Sequence, residues 1–180
     1  MERGFALNAT RAAQGMPTVV DGAKMAFLDM NLQRHRMAMG VQVIVKDPKE
    51  IENIKQREMD IAKERIHKIL DTGVNIVLTT KGADDLCMMY FVEAGVLCAQ
   101  RCNSEDLWRL AKATDGKLVI TMANMEGIES FDITCTGEAK LVRGERIMDG
   151  EMIYMYGCKW FHEKWDPVES KCDIVKKRKV

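Results

Sequence analysis

The alternation of apolar and polar positions sorts the chain into short strands and a few helices. Lys24-Met25-Ala26-Phe27-Leu28 predicts a buried strand, and Val41-Gln42-Val43-Ile44-Val45 alternates with β-branched residues as strands do. Val74 to Thr80 is a third strand, followed by a helix from about Ala83 to Ala94 that Gly95 closes. Val96–Ala99 is another strand, Ser104 caps a helix to about Thr114, and Leu118–Thr121 is extended again. Strand and helix alternating in this way predict a parallel α/β layer. Beyond it, Gly137–Val142 and Met152–Tyr156 flank an Asp149-Gly150 turn and predict an antiparallel pair. Met1 to Thr18 reads as an extended arm or edge strand, and Asp29 to Gly40 as a polar, basic loop with interspersed methionines.

The segment Asp47–Leu70 stands apart. Asp47, Pro48 and Glu50 have the arrangement of a helix start, with a capping side chain, a first-turn proline and a capping-box glutamate. As one helix the segment would be about 35 Å long at 1.5 Å per residue. Its apolar stripe, Ile51, Ile54, Ile61, Ile66, Ile69 and Leu70, is thin and loses its period near Gln56 to Asp60. Part of this helix is therefore expected to project into solvent.

Composition adds limits rather than identity. The 180 residues carry 27 basic and 27 acidic side chains, so there is no global field to hold nucleic acid or an anionic membrane. Nor does any apolar run approach the roughly 18 residues that span a bilayer, and Met1–Phe5 lacks a signal-peptide core. The basic cluster Lys176–Lys179 is expected to be a solvated terminus rather than a nucleic-acid patch. The six cysteines include no CxxC pair and no nearby His to complete a zinc set, which predicts reduced, buried thiols.

Catalytic chemistry finds no foothold. The chain has no Walker A loop, no GxGxxG after a strand and no GxSxG. His35, His67 and His162 are scattered, and Asp84-Asp85 is what the positive end of a helix dipole favours in a first turn. The chain is read as no enzyme, with no catalytic residue, cofactor or metal of its own. One feature does suggest a partner. On the helix from Ala83 to Ala94, periodicity puts Ala83, Leu86, Cys87, Tyr90, Phe91 and Ala94 on a core face and Asp85, Met88, Met89 and Val92 opposite. Either this second face is an exposed apolar surface of the kind that binds partners, or the helix is buried on both sides.

An ordered set of stretches carries a resemblance. Gly4-Phe5-Ala6-Leu7-Asn8, Gln14-Gly15-Met16-Pro17, Gly40-Val41-Gln42-Val43, Gln56-Arg57-Glu58, Lys63-Glu64-Arg65-Ile66, Lys68-Ile69-Leu70 and Tyr90-Phe91-Val92-Glu93-Ala94-Gly95 resemble, in that order, the apical domain of group II chaperonins. Within that family they are most similar to alpha subunits of the eukaryotic cytosolic chaperonin, of the t-complex polypeptide family. The resemblance covers about Gly4 to Lys159. It divides the chain into an apical domain, 1–159, and a tail, 160–180, that does not look like the family.

The resemblance implies an α/β fold: a β-sandwich flanked by helices, with a protruding helical lid segment at about 47–70 that breaks near Gln56 to Asp60. It implies binding of non-native polypeptides, such as actin or tubulin, in a groove between a helix and a loop. On this chain these are the helix with Asp85, Met88, Met89 and Val92, and the loop with Gln33, Arg34, His35, Arg36, Met37 and Met39. It implies sister subunits in a ring, a cytoplasmic setting, and ATP with Mg at sites outside the matched residues. The alternative is a standalone adaptor or decoy that uses the same fold to bind one folded partner.

Overall fold

A computed structural model describes residues 4–33, 48–123, 129–147 and 150–158. The predicted strand Val41–Val45, the loop residues Arg34 to Gly40, the capping Asp47, the turn residue Asp149 and the tail lie outside the described residues.

The predicted alternation folds as expected, into a mixed sheet with helices on it. Its strands are β1 (Gly4–Leu7), β2 (Val19–Leu28), β3 (Ile76–Thr79), β4 (Leu97–Ala99), β5 (Leu118–Val119), β6 (Gly137–Ile147) and β7 (Gly150–Tyr156). The helices are α1 (Pro48–Leu70), α2 (Asp85–Glu93) and α3 (Ser104–Ala113). The strand order is β1-β7-β6-β2-β3-β4, with β5 also on β2. Strand β2 joins two halves. Its first part, Val19 to Met25, pairs antiparallel with β6, and Met25 to Leu28 pair parallel with β3.

Because strand side chains alternate, each parallel strand feeds two cores. Met25, Phe27, Ile76, Leu78, Leu97 and Ala99 enter one core, with Leu107 and Leu110 of α3 and with Phe5, Leu7, Val142, Ile153 and Met155 from the antiparallel half. The two halves of the sheet thus face each other across a shared interior, and the sandwich-like layers are arms of a single hydrogen-bonded sheet. The intervening Ala26, Leu28, Val77 and Cys98 enter the second core, with Ile66 and Ile69 of α1 and Cys87, Met88 and Phe91 of α2.

The N-terminal arm links both edges of this sheet. After β1 has paired with β7, the chain crosses to β4, where Arg11 bridges Ala99 and the Ala12 N–H donates to the Cys98 carbonyl at 2.8 Å. Arg11 fastens the crossing. Its Nε and Nη2 donate to Glu151 Oε1 on β7 at 2.8 and 2.5 Å, and its Nη1 donates to the Met16 carbonyl at 3.2 Å.

Helix α1 is continuous from Pro48 to Leu70, so the break expected near Gln56 to Asp60 is absent. Nothing in that stretch forbids helix, and Gln56 donates to Asp60 one turn on. Only the base of the helix is packed: Ala62, Ile66 and Ile69 are buried, while residues 49–57 are all exposed. Arg65 at the base donates to both carboxylate oxygens of Glu129. At its end the Asp71 N–H still reaches the His67 carbonyl, and Gly73 at φ 74° turns the chain into β3.

Candidate functional site

Two segments leave the same end of the parallel strands, one after β2 and one after β3, and hydrogen bonds hold them side by side. The Thr80 N–H donates to the Leu28 carbonyl at 3.1 Å, and the Thr79 hydroxyl donates to the Met30 carbonyl at 3.3 Å. The Thr80 hydroxyl donates to the Asp29 carboxylate. Leu32 then forms a parallel bridge with Ala83, and the Asp84 N–H donates to the Leu32 carbonyl at 3.0 Å. The start of the loop, Asp29 to Gln33, is therefore tied directly to the start of α2. Gln33 is exposed there, beside Gly82.

Helix α2 begins after Asp84, whose backbone is extended, and ends in a tight glycine stop. Gly95 takes φ 67°; its N–H donates to the Val92 carbonyl at 3.0 Å, and the Val96 N–H donates to the Phe91 carbonyl at 2.9 Å. This paired pattern satisfies the last carbonyls and leads straight into β4.

The helix is rotated relative to the face predicted from its periodicity. Cys87, Met88 and Phe91 are its buried side. Met88, expected to be exposed, is only 8% exposed and lies in the second core with Met16 and Leu32. Ala94, expected in the core, is exposed as the C-cap. The reason is physical: the helix is apolar almost all round, so spacing alone leaves its rotation open, and the arm and loop supply a second packing surface that draws Met88 inward. Tyr90 is half-buried towards α1, with its ring 6.3 Å from that of His67 and Lys63 Nζ 5.8 Å from its centre. Val92 is half-buried on the other side, against Gly15 of the arm.

What faces solvent is a straight line of three residues one turn apart. Asp85, Met89 and Glu93 are all exposed, Met89 to 63%. Of the expected site residues, the fold brings Asp85, Met89, Val92 and Gln33 onto neighbouring surface and puts Met88 beneath them. Arg34, His35, Arg36, Met37 and Met39 lie outside the described residues. The sequence reading missed the arm residue Gly15 as a border of this surface. Its neighbour Met16 anchors it, with a sulfur that accepts the Cys98 N–H at 3.2 Å.

Among the described residues no group of three or more His, Cys, Asp or Glu could hold a metal ion. The nearby thiols are buried, and burial pushes Cys98 and Cys102 up to about 12, far from a reactive thiolate at neutral pH. Hydrogen bonds from Arg65 and Arg11 hold the carboxyls of Glu129 and Glu151 below the usual range. Both pairs fasten elements of the fold and lie away from the exposed line on α2. No described helix is long and apolar enough to cross a membrane.

Comparison with known proteins places this geometry. The profile of the TCP-1/cpn60 chaperonin family matches residues 1–174. The chain belongs to that family. It is 54% identical over 156 residues to the T-complex protein 1 subunit alpha of Schistosoma mansoni, a match covering 87% of this chain and 29% of the relative. The subunit alpha of Arabidopsis thaliana is 53% identical with the same coverage. The thermosome subunit beta of Archaeoglobus fulgidus is 33% identical, over 87% of this chain and 28% of its own length. The chain thus spans under a third of these chaperonin relatives. Its fold is similar to part of an open-state monomer of a group II chaperonin from Methanococcoides burtonii, with TM-score 0.63 and 23% identity over 88% of this chain and 32% of that one.

Proposed function

We propose that this chain is the client-gripping, apical part of an alpha-type chaperonin subunit, residues 1–159, and that it binds non-native polypeptides on the exposed line of α2 and the adjoining loop. The observation that supports this most is Met89, a large apolar side chain held out in solvent on a helix whose Cys87, Met88 and Phe91 are buried. It has Val92 at its flank and the tethered loop beside it. Methionine suits a surface that must fit many sequences, because its side chain is unbranched, flexible and polarizable. In this reading Asp85, Met89, Val92 and Gln33 touch the client, with Arg34, His35, Arg36, Met37 and Met39 of the loop, and Met88 supports the helix from below. Helix α1, packed only at its base, acts as lid in a ring of sister subunits in the cytosol. ATP and Mg drive that ring at sites outside these residues.

The test is capture of denaturant-unfolded actin on dilution, measured against folded actin as control. Met89→Glu places a charge at an exposed position, so the fold is expected to survive while capture falls several-fold. Undiminished capture by this variant, with an unchanged circular dichroism spectrum, overturns the site.

A further inference from the structure

The exposed line on α2 has its own chemistry, and that chemistry narrows the client. Asp85, Met89 and Glu93 stand at i, i+4 and i+8, so they share one face, with the two carboxylates about 12 Å apart along the axis. Neither carboxylate forms an ion pair among the described residues, whereas Arg11, Arg65, Arg109 and Arg143 all do. Glu93 is in the last turn, where the helix dipole disfavours an anion, and that turn has no basic residue to offset it. Among the described residues no cation compensates Glu93; one from outside would.

We infer that this face selects extended client segments in which an apolar side chain is flanked by a lysine or arginine two residues to either side. The spacing decides the register. In an extended chain, residues i, i+2 and i+4 point the same way and span about 13 Å, close to the Asp85–Glu93 separation. The central apolar side chain then lies on Met89 and the half-exposed Val92, and each basic side chain meets one carboxylate. The inference rests on the client-gripping reading of α2 and adds to it a sequence preference.

The test titrates the full chain with short fluorescein-labelled peptides and follows anisotropy. One carries Lys-Gly-Leu-Gly-Lys between Gly-Ser flanks, a second has Glu in place of both Lys, a third Ser in place of both Lys. Exposed ion pairs are individually weak, so two of them should give the lysine peptide roughly 5-fold tighter binding than the serine peptide at low salt, shrinking as salt is raised. Asp85→Asn with Glu93→Gln, both at exposed positions, should bring the lysine and serine peptides to equal affinity with an unchanged circular dichroism spectrum. Equal binding of the three peptides, with actin still captured, overturns the preference and leaves the gripping site standing. Tighter binding of the glutamate peptide overturns it too, by showing that Arg34 and Arg36 of the loop set the sign of the surface. Loss of all binding, actin included, in the unsubstituted chain overturns the preference together with the reading beneath it.

Discussion

The ion pair between Arg11 and Glu151 offers the sharpest check on how this fold is held. Glu151→Gln keeps the shape of the side chain and removes its charge. Three donors now converge on that carboxylate: Arg11 Nε and Nη2 on one oxygen, and the Arg11 backbone N–H on the other at 3.1 Å. The two side chains are only 17% and 20% exposed, so water and salt screen the pair incompletely. A charge-assisted bond contributes roughly 1.5–3 kcal/mol and a neutral one about 0.5–1.5. Exchanging the first kind for the second, with the Met16 carbonyl still available to Arg11, should cost about 2 kcal/mol. For a chain of this size that lowers Tm by roughly 4–8 °C. The effect should also depend on pH with a definite sign. Arg11 holds the Glu151 carboxyl below its unfolded value, so its contribution is present above about pH 4.3 and is lost as pH falls through the lower folded value. Calorimetry from pH 7 down to pH 3 should therefore show a gap between parent and variant that closes at the acid end. A gap under 1 °C at pH 7, or one that stays constant to pH 3, refutes this account of the arm.

Two further outcomes follow from the cores. Phe91→Ala, which empties a fully buried ring site beneath α2, should cost about 3–5 kcal/mol in urea unfolding, whereas Met89→Ala should change stability by less than about 0.5. The buried thiols of Cys87, Cys98 and Cys102 should resist a thiol reagent in the native state at pH 8 and react once the chain is unfolded. Because burial raises the pKa of Cys98 and Cys102, their contribution to stability is complete below pH 9 and should fade between about 9 and 12, visible as a falling Tm over that window.

Much of the fold was legible because strands and helices here obey local rules. The β-branched run at β3, the glycine stop at Gly95 and the alternation that makes β2 to β5 a parallel layer all act over a few residues. Ends shifted by small amounts for equally local reasons: the helix cap is Asn103, whose side chain accepts the Glu105 N–H, rather than Ser104. Strand β6 runs on to Ile147 because all of β7 pairs with its second part, from Leu141 to Ile147. The facing of α2 was not legible. Its apolar residues run nearly all round and only Asp85 and Glu93 mark the exposed side, and what turned Met88 inward is the arm, some seventy residues earlier in the chain. The link between Arg11 and Glu151 had no linear signal at all. Spacing put Met89 on a face left open between exposure and burial, and the structure exposes it, while the match to chaperonins needed the ordered set of stretches, since no one motif among them is specific.

The arm has a consequence for how such a chain comes to be folded. Gly4 pairs with Tyr156, and Arg11 with Ala99, so the first strand cannot be seated until the last one exists. On a ribosome the parallel layer from β2 to β5 can be complete while its β2 border still waits for β6 and the arm that meets its β4 border still waits for β7 to seat β1. Pairings this distant in sequence are slow to find, and an unsealed strand border is where chains stick to one another. The final act of folding is then a single stitch, in which the emerging β7 captures β1 and with it draws the arm across β4.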